Sequence, residues 1–142
     1  MELSRLALGL ALVGGLVQSG CRSRVDGDYQ LDLEQTKACV AKSAAAYPED
    51  GQHKDQALKM LDATTVSIRL DQSGKMLSTT VLSLAGTPST SKTSGTWKLD
   101  GKRVTIKVPE DSDTFCDVDG SRLRCQKEAY NKLFGSYVLV RK

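Results

Sequence analysis

Residues Gly95–Ile106 read GTWKLDGKRVTI, and the period of this stretch decides the fold. Trp97 and Leu99 alternate with Thr96 and Lys98, Asp100-Gly101 interrupts, and Val104 and Ile106 alternate with Arg103 and Thr105 on the return. A period of two puts successive side chains on opposite faces of a strand, and Asp-Gly between two such runs marks a hairpin. The reading sets Trp97 across from Ile106 and Leu99 across from Val104 on a buried face, with Lys98 and Arg103 turned to water. The head of the stretch, Gly-x-aromatic-x-Leu, recurs as GDYQL from Gly27 and GSYVL from Gly135. In each copy the aromatic and the leucine are two apart and share a face, while the glycine permits a bend or a close approach in a curved sheet. Three core-facing strand starts explain the repeat better than a binding motif does.

Outward from this block the period changes twice. A short strand over 28–31 leads to Asp32, which with Gln35 three residues on forms a capping-box pattern for a helix through about Ala46, with Leu33, Val40, Ala44 and Tyr47 near one face. PEDG breaks it. A second helix over about 53–63 places Ala57, Met60 and Leu61 on one side. From Thr65 the period is two: Val66, Ile68 and Leu70 alternate with polar residues, DQSGK turns the chain, and a hydroxyl-rich strand runs from Met76 to Leu84. Residues 85–94, AGTPSTSKTS, read as a polar loop. Further strands are predicted over about 114–118, 121–127 and 135–142. The count is about eight strands, mostly hairpin-linked, with two short helices after the first. The fold class is mainly β, an antiparallel sheet or barrel.

The N-terminus predicts export. Leu6–Val17 is an uncharged apolar run, the length of a secretory h-region and shorter than the ~20 residues of a membrane span. Residues 1–20 are therefore read as a signal peptide, 21–26 as an anchor and tether, and 27–142 as one domain with a modest core. The chain carries a net charge of +3, with its cations scattered among acids and hardly interleaved with aromatics. That pattern lacks the clustered basic stripe that phosphate-backbone binding needs, so nucleic acid is not an expected partner.

In an oxidising compartment cysteines pair. With Cys21 set aside, Cys39, Cys116 and Cys125 remain, and one thiol is left over. The hairpin FCDVDGSRLRC offers two registers. A turn at Gly120-Ser121 faces Cys116 with Cys125, whereas a turn at Asp119-Gly120 faces Cys116 with Leu123 and leaves Cys39 as the other candidate partner. The chain has no Cys-x-x-Cys spacing to suggest a zinc site or a thioredoxin-type redox motif.

Two resemblances follow from these residues. Val17–Cys21, VQSGC, resembles the lipobox of bacterial lipoproteins, which implies that Cys21 is acylated and becomes the first mature residue; ordinary cleavage to a soluble secreted protein is the other reading. Arg22 stands where such lipoproteins carry the aspartate that retains them in the inner membrane, which implies the outer membrane. The hairpin from Gly95 to Ile106, with the Gly27-Asp28-Tyr29 start, resembles small bacterial lipocalin-like (calycin-type) lipoproteins. That resemblance implies a β-barrel able to carry a small apolar ligand.

Chemistry-bearing constellations are scarce. His53 is the only histidine, at a helix start, with no nucleophile elbow elsewhere. Glu110, Asp111 and Asp113 cluster without the ligand order of a calcium loop and read as a solvated turn. No cofactor is expected, and the chain reads as non-enzymatic. Two functions follow. One is a lipid-anchored, non-catalytic envelope module whose sheet or 85–94 segment contacts another envelope component. The other is a lipocalin-like carrier. Trp97, Phe115, Phe134 and a few tyrosines are few large groups for a ligand pocket, which favours the first.

Overall fold

The computed structural model describes residues 25–51, 53–128 and 135–142. The predicted signal peptide, Cys21 and Phe134 lie outside them.

Eight strands close into an antiparallel barrel in chain order: β1 (Gly27–Leu31), β2 (Thr64–Leu70), β3 (Lys75–Leu84), β4 (Thr87–Asp100), β5 (Arg103–Lys107), β6 (Thr114–Asp119), β7 (Arg122–Lys127) and β8 (Ser136–Arg141), with β8 pairing back onto β1. Between β1 and β2 come α1 (Leu33–Ala46), a single turn α2 (Pro48–Gly51) where the sequence predicts only a break, and α3 (Lys54–Asp62). The decisive hairpin takes the expected register, Trp97 with Ile106 and Leu99 with Val104.

Inward-facing residues of the strands meet in one cluster. Tyr29, Ile68, Leu70, Met76, Val104, Ile106, Leu123 and Leu139 are buried in it, and Val66, Trp97, Leu99 and Val118 pack against it half-buried. The Trp97 indole N–H donates to the Asp71 carbonyl at 2.8 Å, so its one polar atom is satisfied.

The Gly-x-aromatic start of β1 has its own geometry. The Arg141 guanidinium lies over the Tyr29 ring at 5.2 Å and donates to the Asp26 carbonyl and the Tyr29 hydroxyl, which itself donates to the Val25 carbonyl at 2.6 Å. Gly27 has φ 139°, and a Cβ there would lie 2.8 Å from the Arg141 Nη1. Chain entry and exit are thus tied together by a stacked cation at one end of the barrel.

The helices complete the wall at the other end. β1 stops at Leu31 while β2 and β8 run on beside it, and α1 and α3 take over there, against β8 and β2 respectively. Thr36 of α1 stands in for the missing strand: its hydroxyl accepts from the Val138 N–H at 3.1 Å and donates to the Val138 carbonyl at 3.4 Å. Asp32 caps α1, accepting from the Gln35 N–H at 3.2 Å. Val40, Ala57 and Leu61 form the core between the helices, joined to the barrel core through Leu31. Tyr47 and Met60, expected on the buried helix faces, are instead exposed at 39% and 38%.

Candidate functional site

The largest departure from the sequence reading falls on residues 85–94. Only Ala85 and Gly86 form a turn, with φ of 52° and 78°. Positive φ at both central residues is the type I′ arrangement whose twist suits a two-residue hairpin. Residues 87–94 are strand, paired with β3 from Leu84–Thr87 down to Leu77–Ser94. They read as a loop because every one of them is exposed, so no face carries an apolar signal.

This half of β4 has a partner on one side only. β5 ends at Lys107 opposite Thr96, and among the described residues no strand continues its lane along 87–94. Ladder direction shows which backbone groups are left open. The Ser83 N–H donates across to Ala63, and the Trp97 N–H to the Gly74 carbonyl on the β3 side. By the alternation of an antiparallel ladder, Pro88, Thr90, Lys92 and Ser94 direct their backbone groups away from β3 into the vacant lane. Pro88 has no N–H to offer.

The lane opens where β4 and β5 separate. Gly95 has the inward parity of Trp97, and a Cβ on it would lie only 3.2 Å from the Val108 side chain while overlapping the Lys107 carbonyl oxygen. Glycine lets the end of β5 cross β4 here, so the barrel closes at this point and leaves 87–94 beyond it. Beside the crossing is an open cleft of about 850 Å³, lined by Leu77, Ser94, Lys75, Lys107, Val108 and Pro109 among others. Leu77 is 45% exposed. Lys75, Lys92 and Lys107 belong to none of the ion pairs seen among the described residues.

Elsewhere the outer wall is a set of ion pairs: Arg69 with Asp28, Arg103 with Asp117, Arg124 with Asp119, and Arg122 with Asp32. The hydrogen bond and charge of Arg69 hold the Asp28 carboxyl below its usual range. Arg103 also lies over the exposed Phe115 ring at 5.9 Å. Such outward positions are the reverse of the apolar band on a lipid-embedded barrel. No helix among the described residues is long and apolar enough to cross a membrane.

The remaining sequence candidates fall apart in space. Gly120, at φ 59°, leads the turn that sets Cys116 opposite Cys125, inside the barrel, with sulfurs at disulfide distance, 2.06 Å. Cys39 is half-buried on α1 and unpaired among the described residues. His53 is exposed at the start of α3. Asp111 is engaged by the Lys127 ammonium and the Ser112 N–H, which lower its pKa, and among the described residues no three His, Cys, Asp or Glu side chains converge as metal ligands do. Inside the barrel, burial raises the pKa of the Tyr137 phenol, partly offset by its hydrogen bond with Thr114.

No family model, curated protein or solved structure matches this chain.

Proposed function

We propose that this protein is a non-catalytic bacterial envelope module of lipocalin-like form: exported by its 1–20 leader, held to a membrane by lipid on Cys21, and acting by contact through the outside of its barrel. The observation that supports the contact reading is the occupancy of the interior. Inward residues of the barrel meet in one buried cluster, with Leu70, Val104, Leu123 and Leu139 at 1% exposure or less. A barrel of eight strands can be filled by side chains or can hold one small ligand; here the packed cluster takes the space that a carrier would need for its ligand. The anchor rests on VQSGC at 17–21, and Arg22 supports an outer-membrane address.

Two measurements test this reading. Cys21→Ser should move the protein from the membrane fraction to the soluble one, and the intact mass of the native protein should carry acyl chains; an unmodified mature chain in the soluble fraction refutes the anchor. Native mass spectrometry of protein purified from its host should show the polypeptide without a stoichiometric apolar ligand. One retained ligand per chain would replace the contact reading with the carrier one.

A further inference from the structure

We propose that the open edge of β4 over 87–94 is a docking edge for an extended segment of another protein. That segment carries an acidic side chain opposite Lys92 and, two residues away, an apolar one opposite Ser94. This inference rests on the contact reading above and names the class of partner.

The edge has what strand addition needs. Thr90, Lys92 and Ser94 present N–H and C=O groups to a lane that β5 leaves at Lys107, and backbone pairing of this kind supplies affinity while alternate side chains supply specificity. An incoming strand would prolong the line of β5, about 4.8 Å from β4. Its side chain opposite Ser94 then points to the outer face, toward the side of the cleft that the exposed Leu77 lines. Lys92 shares that outer face, and its charge is not taken up by an ion pair among the described residues.

A second copy is a poor occupant. Two β4 edges related by a two-fold axis must join outward-pointing residues, which limits the registers. Centring the axis on Lys92 pairs Thr90 with Ser94 and keeps every donor, but sets Lys92 directly against its own copy, and like charges across a ladder destabilise it. Centring it on Ser91 relieves the charge but pairs Pro88 with Ser94 at both ends, where the missing N–H costs a bond each time. Proline and lysine on an edge are the devices that discourage self-pairing. The same lysine favours a foreign strand with a carboxylate at the facing position.

The test uses the purified full mature chain and a fluorescein-labelled peptide, Thr-Leu-Thr-Glu-Thr-Val-Thr, whose antiparallel register puts Leu opposite Ser94 and Glu opposite Lys92. Fluorescence anisotropy should show saturable binding, weakened about fivefold or more when the peptide Glu is replaced by Lys or when the protein carries Lys92→Glu. The Lys peptide with Lys92→Glu should recover the affinity. Thr90→Pro removes one outward donor at a position whose N–H faces water, so it should abolish binding while circular dichroism and the melting curve stay as in the native protein. Amide exchange of Lys92 and Ser94 should slow when the peptide is added. The proposal is overturned by no saturable binding up to about 1 mM peptide, by equal binding of the Glu and Lys peptides, by undiminished binding to Thr90→Pro, or by sedimentation showing a dimer that excludes the peptide. Such failure leaves the anchor and the filled interior to be judged by fractionation and native mass spectrometry.

Discussion

Reducing the Cys116–Cys125 pair should weaken the barrel by an amount that chain entropy alone sets. The two side chains face each other inside the wall at 0% and 2% exposure. They occupy a non-hydrogen-bonded position, because β6 turns its even-numbered backbone groups to β5 and β7 its odd-numbered ones to β8. Side chains approach most closely at such positions. The bridged residues are nine apart in sequence. A loop of about ten residues corresponds to ~2.6 kcal/mol at 25 °C in the loop-closure model. For a domain of this length that is roughly 10 °C in Tm. Thermal and urea unfolding followed by far-UV circular dichroism, with and without a phosphine reductant, would measure it. Alkylation fixes the pairing independently: in denaturant without reductant, only Cys39 among the domain's three cysteines should take the label, and all three should after reduction. Labelling of Cys116 or Cys125 before reduction, or a reductant effect below about 0.5 kcal/mol, would refute the reasoning.

Three further outcomes are expected. Trp97→Ala should cost about 3 kcal/mol, the lower end for a large aromatic because the ring is half-buried, whereas Trp97→Phe, which loses chiefly the bond to Asp71, should cost ~1 kcal/mol; urea unfolding by circular dichroism that found under about 1 kcal/mol for the alanine variant would show that the ring does not pack. Gly95→Ala should cost ~1–3 kcal/mol, since its methyl would meet β5 backbone rather than a movable side chain, and an unchanged urea midpoint would disprove the crossing. Asp32→Ala should cost about 1 kcal/mol near neutral pH through loss of the α1 cap. Burial raises the Asp32 pKa, but hydrogen bonds from Arg122 and the Gln35 N–H outweigh this and leave it lowered. A lowered folded pKa means that the contribution is whole above the unfolded value near 4 and is lost as pH falls through the folded one. The gap between variant and native midpoints should therefore close in acid and stay constant from about pH 5 to 8.

How much of this was legible depends on what a local pattern reports. Alternation tells which side of a strand faces water, so Trp97, Leu99, Val104 and Ile106 were assigned in register from twelve residues, and Asp32 was readable as a cap because its partner lies three residues away. The cysteine hairpin was half-legible: Asp-Gly-Ser admits two turns, and the choice of Gly120-Ser121 emerges only with the strands paired. Met76 and Leu77 are adjacent and apolar, so no period says which is inside; Met76 is buried at 4% exposure and Leu77 is not. Val138 points outward yet is buried at 1%, because a helix from the other end of the chain covers it.

By itself, then, the sequence determined the strands with an apolar face and the helix pair after the first of them, since both follow from burial along a short run. Only the tertiary structure decided that β8 closes on β1, that the helices complete the wall beside them, and that 87–94 is a strand with one open edge. Those features consist of hydrogen bonds between segments distant in sequence, and a backbone bond leaves no mark on the side chains that a polar, exposed strand displays.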